Sequence, residues 1–169
     1  DATTEARWRD NGELKYSLRS VAENAPWVNH IYIITGFGQI PKWLNTKHPK
    51  ITIIPHEQIM PSNALPTFNS VSIEMCIPNI PGLSEHFLLM NDDMFFNRPL
   101  LPNFFYDSQG RARILYSHHS DRKRNIGQWI GCVDQYTQTL IMSAQCIEKT
   151  FGKRVYKYRP AHGIDPYLK

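Results

Sequence analysis

The chain has 169 residues, of which 41% are hydrophobic and 20% charged, an ordinary composition for a globular protein of one domain. No apolar run approaches the ~20 residues that a membrane-spanning helix needs, and the N-terminal residues lack the apolar core of a signal peptide. The net charge of +4 is mild, and no known nucleic-acid-binding motif accompanies it, which argues against a nucleic-acid partner.

The first element predicted along the chain is a helix over residues 11–23. Its apolar residues recur at helical spacings of four and three, from Leu14 to Val21. We expect Asp10 or Asn11 to cap its N-terminus, because short polar side chains accept hydrogen bonds from the free N–H groups of the first turn.

Two short apolar runs, residues 31–34 and 51–54, are typical of buried strands, and a short helical piece is expected between them over 41–44. The remaining predicted elements, in chain order, are a helix over 70–77, strands over 86–90 and 111–117, a helix over 133–151 and a strand over 155–158. Strands that alternate with helices predict an α/β fold, in which helices flank a mainly parallel sheet.

The cysteine and charge patterns bear on the cellular setting. None of the three cysteines forms a C-x-x-C pair, so zinc binding and redox chemistry are weakly supported, and free thiols suit a reducing cytoplasm. The densest basic stretch is Arg122-Lys123-Arg124. It is typical of a solvated loop, and the alternative is an anionic partner such as a nucleotide pyrophosphate or an acidic membrane surface.

The sequence Asn91-Asp92-Asp93 follows the apolar strand predicted over 86–90. Two adjacent carboxylates repel each other, and a bound cation offsets that repulsion. In open α/β sheets, ligands bind beyond the carboxyl ends of the strands, which is where this pair falls. Mg²⁺ and Mn²⁺ favour oxygen ligands, so Asp92 and Asp93 are candidate metal ligands. The alternative is a turn in which the aspartates cap backbone N–H groups.

The predicted first helix carries polar side chains that could bind phosphate. Asn11, Lys15 and Arg19 are spaced by four residues and would share one helical face. The planar guanidinium of arginine donates two parallel hydrogen bonds to phosphate oxygens. The alternative is an ordinary solvated helix surface.

Two further segments carry candidate residues. Ser70 is a candidate N-cap of the predicted helix that contains Glu74, and a helix N-terminus also attracts anions. Near the C-terminus, His162 could act as a general acid or base near neutral pH, with Asp165 three residues later. A structural role is the alternative for both segments.

Taken together, these segments resemble the second conserved region of the Stealth family of hexose-1-phosphate transferases. The resemblance covers residues 7–98 and, more loosely, the start of the family's third region over about 155–169. The blocks that carry it, in order, are Arg7-x-x-Asp10-Asn11-Gly12-Glu13-Leu14-Lys15-Tyr16-Ser17-Leu18-Arg19-Ser20, Ala25-Pro26-Trp27-Val28, Ile31-Tyr32-Ile33-Ile34-Thr35, Pro41-x-Trp43-Leu44, Leu65-Pro66-Thr67-Phe68-Asn69-Ser70, Asn91-Asp92-Asp93-Met94-Phe95 and His162-Gly163-Ile164-Asp165.

The resemblance implies transfer of a sugar 1-phosphate from a nucleotide sugar, usually UDP-linked, to a hydroxyl of an acceptor glycan in capsule or exopolysaccharide synthesis. It implies a Rossmann-like, glycosyltransferase-A-like core and a Mg²⁺ or Mn²⁺ ion at Asp92 and Asp93. His162 or Asp165 would be the base for the acceptor hydroxyl. The substrate-binding residues that it implies are Arg7, Asp10, Asn11, Arg19, Asn69, Ser70, Glu74 and Asn91.

The family's first region, a strand that ends in a Trp-Val-Asp type motif, is not found in this sequence. We therefore expect this chain to be a portion of a longer catalytic domain, or to have an incomplete nucleotide site. Two alternatives stay open: a metal-dependent glycosyltransferase that transfers the sugar alone, and a noncatalytic glycan-binding or scaffold domain. The expected location is the cytoplasm, with peripheral association at the inner face of the membrane.

Overall fold

A computed structural model of the chain describes residues 9–117, 135–152, 159–160 and 163–169. The chain divides into two compact units, Asp1–Arg113 with Gly163–Lys169 and Ile114–His162. Each unit is described by itself below. The basic stretch over 122–124 and the strand predicted over 155–158 lie outside the described residues.

The first unit opens with helix α1, Glu13–Asn24, followed by strands β1, Ile31–Thr35, and β2, Ile51–Pro55. The two strands are parallel, with Ile31 opposite Ile51. All three elements are confirmed at nearly the predicted bounds. The helical piece predicted over 41–44 is wrong, because that segment makes only a single turn closed by the Leu44 N–H and the Pro41 carbonyl.

The cap predicted for α1 is also wrong. Gly12 occupies the N-cap position in a left-handed conformation, with φ 84°, which glycine adopts without steric cost. The Glu13 carboxylate reaches back instead and accepts hydrogen bonds from the Asn11 backbone N–H and side-chain amide, both at 2.8 Å. The hydrogen bond from the Asn11 side chain is the largest cause that lowers the pKa of Glu13 below its ordinary value.

Two short helices follow β2: α2, His56–Ile59, and α3, Ser70–Glu74. The helix predicted over 70–77 ends at Glu74, where the Cys76 N–H bonds the Ile73 carbonyl three residues back and a short 3₁₀ helix, Ile77–Asn79, follows. Its N-cap is Asn69 rather than Ser70, since the Asn69 side chain accepts a hydrogen bond from the Ser72 N–H at 3.2 Å.

Strand β3, His86–Leu89, confirms the predicted strand over 86–90. It pairs with an unpredicted antiparallel strand, β6, Asp165–Leu168, and this register sets Leu89 opposite Asp165. Between the two strands in sequence, helix α4, Pro102–Phe105, was also not predicted.

Two core clusters fill the first unit. The first core cluster consists of Ile54, Ile59, Met60, Ile77 and Ile80. The second core cluster consists of Val21, Ala25, Phe96 and Phe105. Phe87 and Leu89 of β3 pack against the first cluster, whereas Leu88 and the following Met90 pack against the second.

Strand β1 alternates in the same way, with Tyr32 on the first cluster and Ile31 on the second. Both strands therefore lie between two apolar layers, and the helices contribute residues to these layers. This arrangement confirms the α/β class: the parallel pair β1–β2 is flanked by helices, as in part of a Rossmann-like domain.

In the second unit, strand β4, Tyr116–Ser117, pairs antiparallel with β5, Arg159–Pro160, and helix α5 spans Gln135–Phe151. The described part of α5 confirms the helix predicted over 133–151. The strand predicted over 111–117 is shorter, because the Arg111 carbonyl accepts the Asp107 N–H within a local turn. No described helix has both the length and the apolar character that crossing a bilayer requires.

Candidate functional site

The acidic turn, residues 91–94, follows directly after β3. The Met94 N–H donates to the Asn91 carbonyl at 3.2 Å and closes it. Asp92 and Asp93 are both exposed. Within the described part of the chain, no residue donates a hydrogen bond to either side chain. Their four carboxylate oxygens are therefore available to a ligand from solvent.

Two other aspartates of this unit do cap backbone N–H groups and serve for comparison. Asp10 accepts a hydrogen bond from the Gly12 N–H at 2.7 Å. Asp107 accepts from the backbone N–H groups of Gln109 and Arg111, both at 2.9 Å, and forms an ion pair with the Arg111 side chain. The hydrogen bond from the Arg111 backbone is the largest cause that lowers the pKa of Asp107. Because Asp92 and Asp93 make no such bonds to described residues, a capping role does not account for them.

Helix α1 fixes the segment that leaves the acidic turn. Ser20 Oγ accepts a hydrogen bond from the Phe96 N–H at 3.0 Å, and the Asn24 side-chain amide donates to the Phe96 carbonyl at 3.0 Å. The Ser20 hydroxyl proton is directed to the Ser17 carbonyl at 2.7 Å. Phe96 itself is buried in the second core cluster. The turn is thus attached to β3 on one side and to α1 on the other.

A second pair of contacts continues this attachment. The Leu100 N–H donates to the Asn24 carbonyl at 3.1 Å, which satisfies a carbonyl at the free end of α1. The Trp27 indole N–H donates to the Leu100 carbonyl at 2.6 Å. The chain from Phe96 to Leu100 is therefore held against the C-terminal end of α1.

Strand β6 brings Asp165 to the end of β3 that leads into the acidic turn, because it pairs opposite Leu89. Two residues along β6, the Tyr167 ring stacks on Phe87 at a centroid distance of 5.6 Å. Burial raises the pKa of the Tyr167 phenol, and the negative charges of Asp165 and Glu74 raise it further. The charges of two predicted site residues, Glu74 and Asp165, therefore both act on a tyrosine that the sequence did not indicate.

Tyr106 forms hydrogen bonds with the same pair of strands. Its hydroxyl donates to the Phe87 carbonyl at 2.7 Å and lies 3.1 Å from the Tyr167 carbonyl. Burial is the largest cause of its raised pKa. Sequence reasoning missed Tyr106 because its role depends on strand β6, which is distant in the chain.

Only some of the predicted phosphate-binding residues lie on the same helix. Lys15 and Arg19 lie on α1, but Asn11 precedes the helix, so the predicted shared face of three residues is wrong. The exposed Arg19 guanidinium lies over the Tyr16 ring, 5.9 Å from its centroid. Arg7 and His162 lie outside the described residues.

In the segment before α3, one of the two candidate residues has a structural role. Asn69 caps the helix through its side chain, and its own N–H donates to Thr67 Oγ1 at 3.1 Å. Ser70 is exposed at the first helical position. Of the two side chains, only that of Asn69 is therefore engaged as the helix cap.

Asp92 and Asp93 could hold a divalent cation in an open site, in which water and substrate supply the remaining ligands. In the part of the chain that the structure describes, no group of three or more His, Cys, Asp and Glu side chains is arranged to hold a metal ion. Mg²⁺ commonly takes only one or two carboxylates from a protein and completes its shell with water and substrate phosphates. Asp92 and Asp93 suit that mode of binding, because both are exposed and neither side chain caps a backbone N–H group of the described residues.

Comparison with known proteins identifies the family of the chain. The profile of Stealth protein CR2, conserved region 2, matches residues 7–114, which is more than half of the chain. The chain is 54% identical over 104 residues, 62% of its length, to the exopolysaccharide phosphotransferase cps2G of Lactiplantibacillus plantarum. It is 43% identical over 144 residues, 85% of its length, to the capsular polysaccharide phosphotransferase LcbA of Neisseria meningitidis.

The similarity extends to animals. The chain is 48% identical over 112 residues to the N-acetylglucosamine-1-phosphotransferase subunits alpha/beta of Mus musculus. The matched segments span 31%, 37% and 9% of the lengths of these three relatives, so the chain corresponds to a minor part of each. The match over residues 7–114 includes the acidic turn and all of α1. The chain therefore belongs to the Stealth family and contains its second conserved region.

Proposed function

We propose that the protein containing this chain transfers a sugar 1-phosphate from a nucleotide sugar to a hydroxyl of an acceptor glycan during capsule or exopolysaccharide synthesis. The family supports this reaction class, since several relatives are named as exopolysaccharide or capsular polysaccharide phosphotransferases. The observation that carries the proposal is the acidic turn. It presents two adjacent carboxylates to solvent with no hydrogen-bond donor from the described residues.

In the proposed reaction, the acceptor oxygen attacks the phosphorus that carries the sugar. The bond from this phosphorus to the bridging oxygen of the pyrophosphate breaks, and a nucleoside monophosphate, UMP for a UDP-linked donor, leaves. The acceptor proton goes to a base, and the product is a phosphodiester. Both phosphate groups carry negative charge throughout, so positioning and electrostatic stabilisation dominate catalysis.

Asp92 and Asp93 are the residues that would hold Mg²⁺ or Mn²⁺. The bound cation would neutralise the pyrophosphate and stabilise the leaving group. Arg19 is proposed to bind a donor phosphate, because its guanidinium is exposed on the helix that anchors the acidic turn. Arg7 has the same proposed role.

The base for the acceptor hydroxyl is proposed to be His162 or Asp165. The pairing of Asp165 opposite Leu89, the last residue of β3, supports its candidacy for this role. The proposed substrate contacts are Asp10, Asn11, Asn69, Ser70, Glu74 and Asn91. We propose a cytoplasmic location with peripheral contact at the inner face of the membrane.

Neutralising one carboxylate of the acidic turn tests the proposal. In the full-length protein, Asp93→Asn is expected to lower turnover roughly 100-fold, a loss of about 3 kcal/mol of transition-state stabilisation. It is also expected to remove Mn²⁺-dependent binding of a UDP-sugar in isothermal titration, while circular dichroism stays unchanged.

Glu85→Gln is the matched control, because it removes the same charge from an exposed residue directly before β3. This variant should keep wild-type turnover and metal dependence. If Asp93→Asn turns over as fast as Glu85→Gln, the assigned role of Asp93 is wrong. If the unmodified full-length protein shows no metal-dependent nucleotide binding, the scaffold alternative is favoured.

A further inference from the structure

A cavity of about 240 Å³ opens at the carboxyl ends of the parallel strands β1 and β2. We call it the aromatic pocket, and its lining residues are Phe37, His56, Glu57, Leu65, Pro66 and Thr67. The carboxyl ends of parallel strands are where ligands bind in open α/β sheets. None of these residues is needed for the proposed metal and phosphate chemistry.

The backbone at the end of β1 is shaped to form this pocket. A Cβ atom at Gly36 would lie 3.1 Å from the His56 ring, so a side chain there would crowd the pocket wall. The next residue, Phe37, has φ 55°, a left-handed conformation that bulky residues rarely adopt. Such outliers cluster at ligand-binding sites, where the surrounding structure holds them in place.

The rim of the pocket presents aromatic rings to solvent. Phe37 lies against Phe68 with ring centroids 5.5 Å apart, and the two residues are 56% and 77% exposed. An aromatic ring has a negative face that attracts weakly positive C–H groups as well as apolar surface. The C–H face of a pyranose ring offers both.

The polar groups of the pocket favour an uncharged, hydroxyl-rich ligand. The Glu57 carboxylate only accepts hydrogen bonds, and the Thr67 hydroxyl can donate as well as accept. A phosphate group would be repelled by Glu57, which is exposed and has no hydrogen-bond donor among the described residues. The cavity also falls below the roughly 300 Å³ at which pockets for drug-sized ligands begin, so it suits one sugar residue better than a nucleotide.

We propose that the aromatic pocket is a subsite for a single uncharged pyranose residue, which belongs either to the acceptor glycan or to the sugar of the donor. This inference rests on the proposed function, and it names the chemical group that the pocket recognises. The pyranose stacks on the Phe37 and Phe68 rings, and its hydroxyls donate hydrogen bonds to Glu57.

Ligand-observed NMR tests the subsite without any need for turnover. The full-length protein is mixed with a panel of methyl glycosides of glucose, galactose and N-acetylglucosamine, and saturation transfer to each sugar is measured. We expect transfer to at least one glycoside, strongest at its ring C–H protons. Phe68→Ala and Glu57→Gln should each reduce it at least fivefold, and the affinity for UDP should not change. A saturation transfer that an added UDP-sugar abolishes assigns the pyranose to the donor, and one that persists assigns it to the acceptor glycan.

Phe151→Ala is the control, because Phe151 is 68% exposed and belongs to the other compact unit. It should keep the full saturation transfer. Transfer to no glycoside, or equal transfer in Phe68→Ala and Phe151→Ala, overturns the proposal. A loss of UDP affinity in Phe68→Ala also overturns it and assigns the pocket to the donor base.

The test separates this inference from the proposed function. In Asp93→Asn, glycoside binding should persist while turnover is lost. Glycoside binding together with a product that contains no phosphodiester would refute the proposed reaction and leave the subsite standing. Phosphodiester formation without glycoside binding would do the reverse.

Discussion

Ser20 connects helix α1 to the segment that leaves the acidic turn, and Ser20→Ala removes that connection. Its Oγ accepts the Phe96 N–H at 3.0 Å and donates to the Ser17 carbonyl at 2.7 Å. In the variant, the Phe96 N–H loses its acceptor, while the Ser17 carbonyl keeps the helical bond of Val21. Phe96 is 4% exposed, so water reaches its backbone poorly.

The expected loss of stability in Ser20→Ala follows from these contacts. A buried donor without an acceptor costs about 1–3 kcal/mol. The higher helix propensity of alanine offsets about 0.5 kcal/mol of this. We therefore expect Ser20→Ala to lower the free energy of unfolding by roughly 1–2 kcal/mol. In urea, with a slope of about 2 kcal/mol/M, the unfolding midpoint falls by roughly 0.5–1 M.

Two measurements check the expectation. Equilibrium unfolding in urea gives the shift in midpoint, and amide hydrogen exchange should show that the Phe96 N–H exchanges faster than in the wild type. Ser62→Ala is the control, since Ser62 is exposed and its side chain has no hydrogen bond within the described residues. Its effect should stay within about 0.5 kcal/mol. Equal midpoints and equal Phe96 exchange in the two variants would refute the anchoring role.

Two other predictions concern the same unit. Burial raises the pKa of Tyr106 and of Tyr167, so the stabilisation that the neutral phenols provide is complete below the unfolded pKa of about 10 and is lost as pH rises through the folded values. Difference titration of tyrosinate absorbance between wild type and Tyr106→Phe should therefore show a phenol that titrates above the ordinary range; titration at the ordinary value would contradict the burial. Ile80→Ala should lower the free energy of unfolding by about 2–5 kcal/mol, because Ile80 is 2% exposed in the first core cluster. Ile40→Ala, at a residue that is 51% exposed, is the comparison, and similar losses in both variants would contradict the assigned core.

Elements with a strong local pattern could be predicted from the sequence. The apolar runs of β1 and β2 and the apolar stripe of α1 are properties of a few adjacent residues, and the structure confirms them. The cap of α1 could not be predicted from residue type alone. The Asp10 carboxylate accepts the Gly12 N–H and the Glu13 carboxylate accepts the Asn11 N–H, so neither candidate caps the first turn and Gly12 occupies the N-cap position.

Strand β6 shows what depends on distant pairing. Pro166 lacks an N–H and lowers strand propensity, so the segment Asp165–Leu168 reads as irregular until β3 pairs with it. The acidic pair was recognisable because it interrupts an apolar run at a strand end. The position of Asp165 at the end of β3 was not, because the β3–β6 register sets it.

In the proposed reaction, the phosphate attached to the donor sugar is transferred together with the sugar. The most direct measurement uses the full-length protein and a UDP-sugar labelled at the phosphorus next to the sugar, with acceptor glycan and Mg²⁺. We expect the label to appear in the glycan as a phosphodiester and unlabelled UMP to be released. Label that stays in UDP, with a plain glycosidic bond in the product, would contradict it.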